Sequence, residues 1–157
     1  MIVHPIPPFY DGSSKILILG SFPSVKSREQ GFFYGHPQNR FWRVLAAVFL
    51  QAVPTSIEEK KAFLKKNGIA LWDVIASCEI AGSSDSSIKN AAANDIRPIL
   101  EGSNVEKIFV NGGTAKKLYD RYLLPMTGVE AMQLPSTSPA NAAWSLERLI
   151  VEWKKIK

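Results

Sequence analysis

A chain of 157 residues, with 46% apolar and 21% charged side chains, has the length of one domain (1–157) and the profile of an ordinary soluble globular protein. Its single cysteine, Cys78, excludes an internal disulfide and any cysteine-rich zinc or iron–sulfur site, and a reducing cytoplasm is the expected setting. The net charge of +5 suits a phosphate-backbone partner, but no basic run exceeds two residues, so there is no basic tail.

MIVHPIPPFYDG lacks a basic n-region and carries three prolines, so no signal peptide is expected, and no apolar run is long enough for a bilayer span. Lys15 to Leu19 is a short β-branched run ending at Gly20, a first buried strand. Asn39 to Leu50 spaces Phe41, Leu45, Val48 and Phe49 as a helical face, with Asn39 as its cap. Ser56 to Asn67 is a helix with Glu58 and Glu59 early, Lys65 and Lys66 late, and Gly68 as C-cap. Ile69 to Ile75 is a second strand with Asp73 inside it. AGSSDSSIKNAAAND is a loop before a helix from about Asp95 to Gly102. Val105 to Val110 is a third strand ending in Asn111-Gly112-Gly113, and Thr114 to Tyr122 is a helix. Glu130 to Leu134 is a fourth strand ending at PSTSPAN, and Asn141 to Lys155 is the last helix.

Strands alternating with helices predict an α/β fold, a three-layer α/β/α sandwich around a central four-stranded parallel sheet. Ligands of such sheets bind beyond the carboxyl ends of the strands. GSFPS, the residues after Trp72, NGG and PSTSPAN all follow strands and should converge there. No GxGxxG, GxxxxGK[ST], HExxH or GxSxG pattern is present, which argues against nucleotide loops, zinc hydrolases and serine-hydrolase elbows. His36-Pro37 reads as a loop former, and the distant His4 has no metal-ligand spacing with it. In PSTSPAN the amides and hydroxyls of Ser136, Thr137 and Ser138 are candidate phosphate ligands, with Asn141 capping the following helix. A plain strand-to-helix connection is the competing reading. Of Phe32, Phe33 and Tyr34, one ring can stack on a flat ligand while the others pack inward.

GFFYGHPQNRFW resembles the GF-x-[FY]-[AG]-HP-x-NRFW segment of the mismatch-specific uracil/thymine-DNA glycosylases. GSFPS stands in the place of that branch's GINPG motif, and LPSTSPAN in that of the second motif of the uracil-DNA glycosylase superfamily. GSFP, HPxNxFW, LWDV, a Ser-Asp-Ser segment and STSPAN together resemble the hypoxanthine-DNA glycosylase branch. The resemblance spans the chain in order and implies a uracil-DNA glycosylase-like fold. It also implies base excision from DNA containing deaminated bases, with no cofactor or metal, by a monomer. Where related enzymes carry an Asp or Asn in the first motif, this chain has Phe22. The second motif's histidine is also absent. Both departures point away from efficient uracil excision.

The resemblance assigns the catalytic group to Asn39, which would position water rather than deprotonate it. Tyr34 would face the flipped base, the Ser21 and Phe22 backbone would line the pocket, and Asp73 or Asp85 would accept from the base N1–H or assist the water. Ser136, Thr137, Ser138, Pro139 and Asn141 would grip DNA, with Arg40, Arg43 and Lys89 as phosphate partners. The structural alternatives are a strand-end cap for Asp73, a turn former for Asp85 and solvated charges for the basic residues. Functional alternatives are a nucleic-acid binding module without catalysis and a small-molecule hydrolase on a flavodoxin-like sheet.

Overall fold

The computed structural model describes residues 1–157. In chain order it comprises β1 (Ile2–Val3), β2 (Ile16–Gly20), α1 (Val25–Gln30), α2 (Phe41–Val48), α3 (Ile57–Asn67), β3 (Ile69–Asp73) and β4 (Ile75–Glu79). There follow β5 (Lys89–Ala93), α4 (Arg97–Glu101), β6 (Lys107–Asn111), α5 (Gly113–Leu118), α6 (Leu124–Thr127), β7 (Ala131–Leu134) and α7 (Leu146–Trp153).

Four strands form the expected parallel sheet in the order β3-β2-β6-β7. Their side chains alternate between two apolar layers. Ile16, Ile18, Ile69, Leu71 and Phe109 pack beneath α2, α3 and α7. Leu17, Leu19, Ala70, Ile108 and Val110 face Ile96, Ile99, Tyr119 and Leu123 on the other side. A sheet buried on both faces needs continuous apolar strands, and ILIL in β2 supplies one. Because β2 connects forward to β3 on one side and β6 lies on the other, the order reverses between β2 and β6. A crevice therefore opens at the carboxyl ends of these two strands.

The helix signals act locally. Ser56 and Glu59 form a reciprocal capping box on α3, and Gly68 closes it in the left-handed region. On α2, Phe41, Leu45 and Val48 of the expected stripe are buried, with Val44 beside them, and Phe49 is the half-buried C-cap. No helix is long and apolar enough to cross a membrane.

Several expectations need correction. Ile69 to Ile75 is not one strand: β3 ends at Asp73, and β4 leaves for a second, antiparallel sheet of order β1-β4-β5. Val74 N–H still donates to Gly20 O and Ile75 N–H to Ser21 O, while Asn94 Nδ2 donates to Asp73 O and Ile75 O. Those bonds satisfy the backbone where the chain changes sheets. AGSSDSSIKNAAAND contains β5, whose alternating exposure lacked an apolar signal. GSFPS leads into α1, capped by Ser24. The last helix begins at Leu146 with Ser145 as its cap, so Asn141 caps nothing.

Trp153 is fully buried, meets Phe41 edge-to-face at 5.8 Å and donates from Nε1 to Pro135 O at 2.9 Å. Trp153→Ala should cost roughly 3–5 kcal/mol of unfolding free energy in urea titration, from the cavity and the orphaned carbonyl.

Candidate active site

The four parallel strands end at Asp73, Gly20, Asn111 and Leu134, and a cavity of about 1020 Å³ opens beyond them. Its wall includes Ser21, Phe22, Tyr34, Asn39, Asp73 and Asp85, with Ser136 to Asn141 on the opposite side. The sheet has thus brought together nearly every residue singled out in the sequence. Arg40, Arg43 and Lys89, the expected phosphate partners, lie outside that wall.

Asn39 is held by a chain of hydrogen bonds whose direction two backbone amides determine. Thr137 N–H, which can only donate, gives to Asn111 Oδ1 at 3.0 Å. Asn111 therefore turns its Nδ2 to Thr137 Oγ1, also at 3.0 Å, and that hydroxyl donates onward to Asn39 Oδ1 at 2.8 Å. Phe41 N–H donates to the same Asn39 oxygen at 2.9 Å. Both acceptor positions of Oδ1 are occupied, so the amide cannot flip. Asn39 Nδ2 has no partner in the protein. Among buried side-chain polar atoms only the Tyr34 hydroxyl lacks a partner, so Nδ2 is open to the cavity. Asn39 thus presents two N–H donors and no acceptor. Expected as the cap of α2, Asn39 stands one residue before the cap, Arg40, and takes the Phe41 N–H there, while Thr137 holds it as well.

The next residue serves the architecture. The Arg40 guanidinium donates to the carbonyls of Thr137, Ser138, Asn141 and Trp144. Expected as a phosphate partner, it is committed to shaping the PSTSPAN loop. Lys89 is exposed on the edge strand β5, away from the cavity wall. Within the loop the amides of Thr137, Ser138, Ala140 and Asn141 are all spent internally. Thr137 is fully buried, and Asn141 Nδ2 closes the loop on Ser136 O at 3.0 Å. What remains for a ligand is the Ser136 N–H and the hydroxyl hydrogens of Ser136 and Ser138, beside exposed Pro139.

The other half of the cavity is acidic and aromatic. Asp73 is 4% exposed at the floor, and its Oδ2 meets Nε2 of the buried His4 ring at 2.7 Å. Its Oδ1 has no bond in the protein and faces the space left by Gly20. A Cβ on Gly20 would lie 2.5 Å from Asp73 Oδ1 and 3.1 Å from the Tyr34 hydroxyl, so only glycine fits. Tyr34 stacks one ring face on Phe41, centroids 3.8 Å apart, and has φ of +53°. Such a backbone state costs a non-glycine residue of order 1–3 kcal/mol and gathers at functional sites. Burial, reinforced by the charges of Asp73 and Asp85, pushes the Tyr34 hydroxyl well above its ordinary range, so it stays protonated. Asp85 stands at the mouth and accepts from Ser21 Oγ at 2.8 Å. Although the residue is exposed overall, its carboxyl group lies against the cavity wall. Desolvation there raises its pKa, and the Asp73 charge adds to this against the Ser21 bond. Phe22 is buried, with Arg28 5.6 Å over its ring, and supplies an apolar wall.

His4, Gly20 and Asn111 belong to the site but were not among the sequence candidates. Gly20 and Asn111 carried a signal, since both end apolar strands at the binding edge. His4 carried none, because its partner is 69 residues away. No three His, Cys, Asp or Glu side chains gather as a cation site.

An open parallel sheet whose carboxyl edge gathers a fixed amide donor, carboxylate acceptors and an aromatic ring has the groups to receive a planar heterocycle such as an extruded nucleobase. The family model of the uracil DNA glycosylase superfamily matches residues 7–156. A hypoxanthine DNA glycosylase of Methanosarcina acetivorans is 35% identical over 99% of this chain and 98% of its own length. One of Methanosarcina barkeri is 34% identical over 86% and 85%. The solution NMR structure of a candidate uracil DNA glycosylase from M. acetivorans superposes with a TM-score of 0.84 at 36% identity, covering 99% of this chain and 96% of the other. The chain belongs to the uracil DNA glycosylase superfamily.

Thr137→Val keeps the shape of the side chain and removes its hydroxyl. It should lower the rate of base release at least 10-fold by freeing Asn39, and cost about 1–3 kcal/mol for the polar groups left unpaired. Single-turnover kinetics and urea unfolding measure the two effects.

Proposed function

We propose that the chain is a monofunctional glycosylase that releases hypoxanthine from deoxyinosine in DNA, in base excision repair of deaminated bases. The observation that carries the reading is the Asn39 amide, locked through Oδ1 and open to the cavity through Nδ2. The relatives described as hypoxanthine DNA glycosylases support the choice of base.

The flipped base enters with its Watson–Crick edge toward the floor and one face on Tyr34. Asp73 Oδ1, recessed beside Gly20, accepts from the base N1–H. The C1′–N9 bond breaks with its electron pair leaving on the purine, and the sugar develops oxocarbenium character. Asn39 Nδ2 donates to the oxygen of a water, which adds to C1′. Asp85 at the mouth accepts the proton this water releases, the departing purine anion takes up a proton from solvent, and the products are free hypoxanthine and an abasic sugar. An amide with its oxygen already bonded cannot act as a base, so Asn39 contributes positioning, and one preorganised donor is worth about 100- to 1000-fold. No lysine lies in the cavity wall, consistent with hydrolysis rather than Schiff-base chemistry. Ser136 and Ser138 hydroxyls contact the DNA backbone. Action as a monomer in the cytoplasm completes the proposal.

Phe22, in the place of a catalytic carboxylate or amide, favours a second reading, a DNA-binding module without chemistry. Oligonucleotides carrying deoxyinosine, deoxyuridine or deoxyxanthosine, cleaved at abasic sites by alkali, separate the two. Release of hypoxanthine above the other bases supports the proposal, and binding without abasic sites overturns it. Asn39→Ala should keep the fold and lose at least 100-fold in single-turnover rate.

The raised pKa of Asp85 gives a pH test. The ionised carboxylate is the proton acceptor, so kcat/KM should rise with pH along a limb lying above the ordinary aspartate value of about 4. Asp85→Asn should remove that limb.

A further inference from the structure

The His4 ring lies behind the cavity wall, where nothing in the reaction described above uses it. It is nevertheless buried and carefully oriented. β1 runs antiparallel to β4, and His4 N–H donates to Ala76 O at 2.8 Å, which brings the ring beneath Asp73. The ring packs near Phe22 and Trp72, with centroids 5.7 Å and 6.2 Å away. Ile6 N–H donates to His4 Nδ1 at 3.1 Å. A backbone amide can only donate, so Nδ1 offers its lone pair and the ring proton resides on Nε2. That Nε2–H points at Asp73 Oδ2, 2.7 Å away.

We propose that His4 is a positioning residue for base recognition: it holds Asp73 by Oδ2 so that Oδ1 accepts the ring N–H of a deaminated purine and repels the N1 lone pair of adenine. The inference rests on the deoxyinosine reading above. Deamination of adenine turns N1 from an acceptor into a donor and the exocyclic amine into a carbonyl. A carboxylate oxygen fixed at the cavity floor distinguishes the two states. A carboxylate free to turn does not, because it can follow the adenine N6 amine instead. Sites built to pair a substrate N–H or O–H reject the analogue that lacks it far better than apolar pockets do. Gly20 takes part by leaving the room that Oδ1 occupies.

Base release is measured in single turnovers on duplexes carrying one deoxyinosine or, as a control, only normal bases. His4→Phe keeps an aromatic ring and removes the donor; His4→Gln restores a donor. His4→Phe should lose about 10- to 100-fold on deoxyinosine, the effect of a lost hydrogen bond to a charged group. It should also gain detectable release of adenine, and His4→Gln should recover most of both properties. In the Asp73→Asn background, His4→Phe should add little, because the two residues act as one unit. Imidazole 15N shifts of the wild-type protein should show the proton on Nε2, with that signal moving in Asp73→Asn.

Full activity in His4→Phe, multiplicative effects in the double variant, or a proton on Nδ1 would each overturn the proposal while the wild-type enzyme stays active. A native-like His4→Gln as impaired as His4→Phe would also overturn it. A wild-type protein inactive on deoxyinosine overturns the functional reading itself, and base recognition by His4 with it.

Discussion

The junction between the start of α2 and the loop after β7 is the joint on which the site depends. Two adjacent residues make it. Arg40 lays its guanidinium on four carbonyls of the loop, and Asn39 accepts from Thr137 at the loop's centre. Carbonyls gathered around one half-buried cation need that cation, so the loop conformation and the helix start are fixed together. Asn111 at the end of β6 ties the same loop to the sheet. The direction of each bond follows from Thr137 N–H and Phe41 N–H, which can only donate. Rigid secondary structure therefore sets the one free group, Asn39 Nδ2, without side-chain choice.

The cavity divides its labour by chemistry. Donors stand on the Asn39 side, backed by the loop after β7. Acceptors stand on the Asp73 side, backed by the strap of residues 2–9, which Phe9 also pins to Leu71 through two backbone bonds. Tyr34 lies between them, one face covered by Phe41. This arrangement suits a planar heterocycle that carries both an N–H and developing negative charge. Phe22, buried in the first motif, adds an apolar wall to this arrangement.

Much of the fold was legible. The run ILIL, the Ser56–Glu59 capping box and the 3.6-residue stripe of α2 are local signals, and each produced its element within a residue or two. The second sheet was not legible. β5 (KNAAA) is largely solvated and carries no apolar alternation, and β1 is two residues long. Both exist because β4, leaving the main sheet after Asp73, presents unpaired backbone groups that neighbouring segments satisfy. Asn141 misled as a helix cap for a related reason. An Asn before an apolar run is a cap only when the chain turns helical there, and Arg40 instead holds that segment as a loop until Ser145.

The sequence by itself determined the parallel sheet, the edge at which the site lies and the residue types that line it, because apolar periodicity and strand-end glycines act over a few residues. Only the tertiary structure decided how those residues are used. Asn39 became a pure donor because Thr137, 98 residues away, took its oxygen. Arg40 became a structural cation because four carbonyls surround it. Asp73 became a fixed acceptor because His4, 69 residues away, took one of its oxygens. Hydrogen-bond direction depends on partners that meet only when the chain folds, and no local pattern records them.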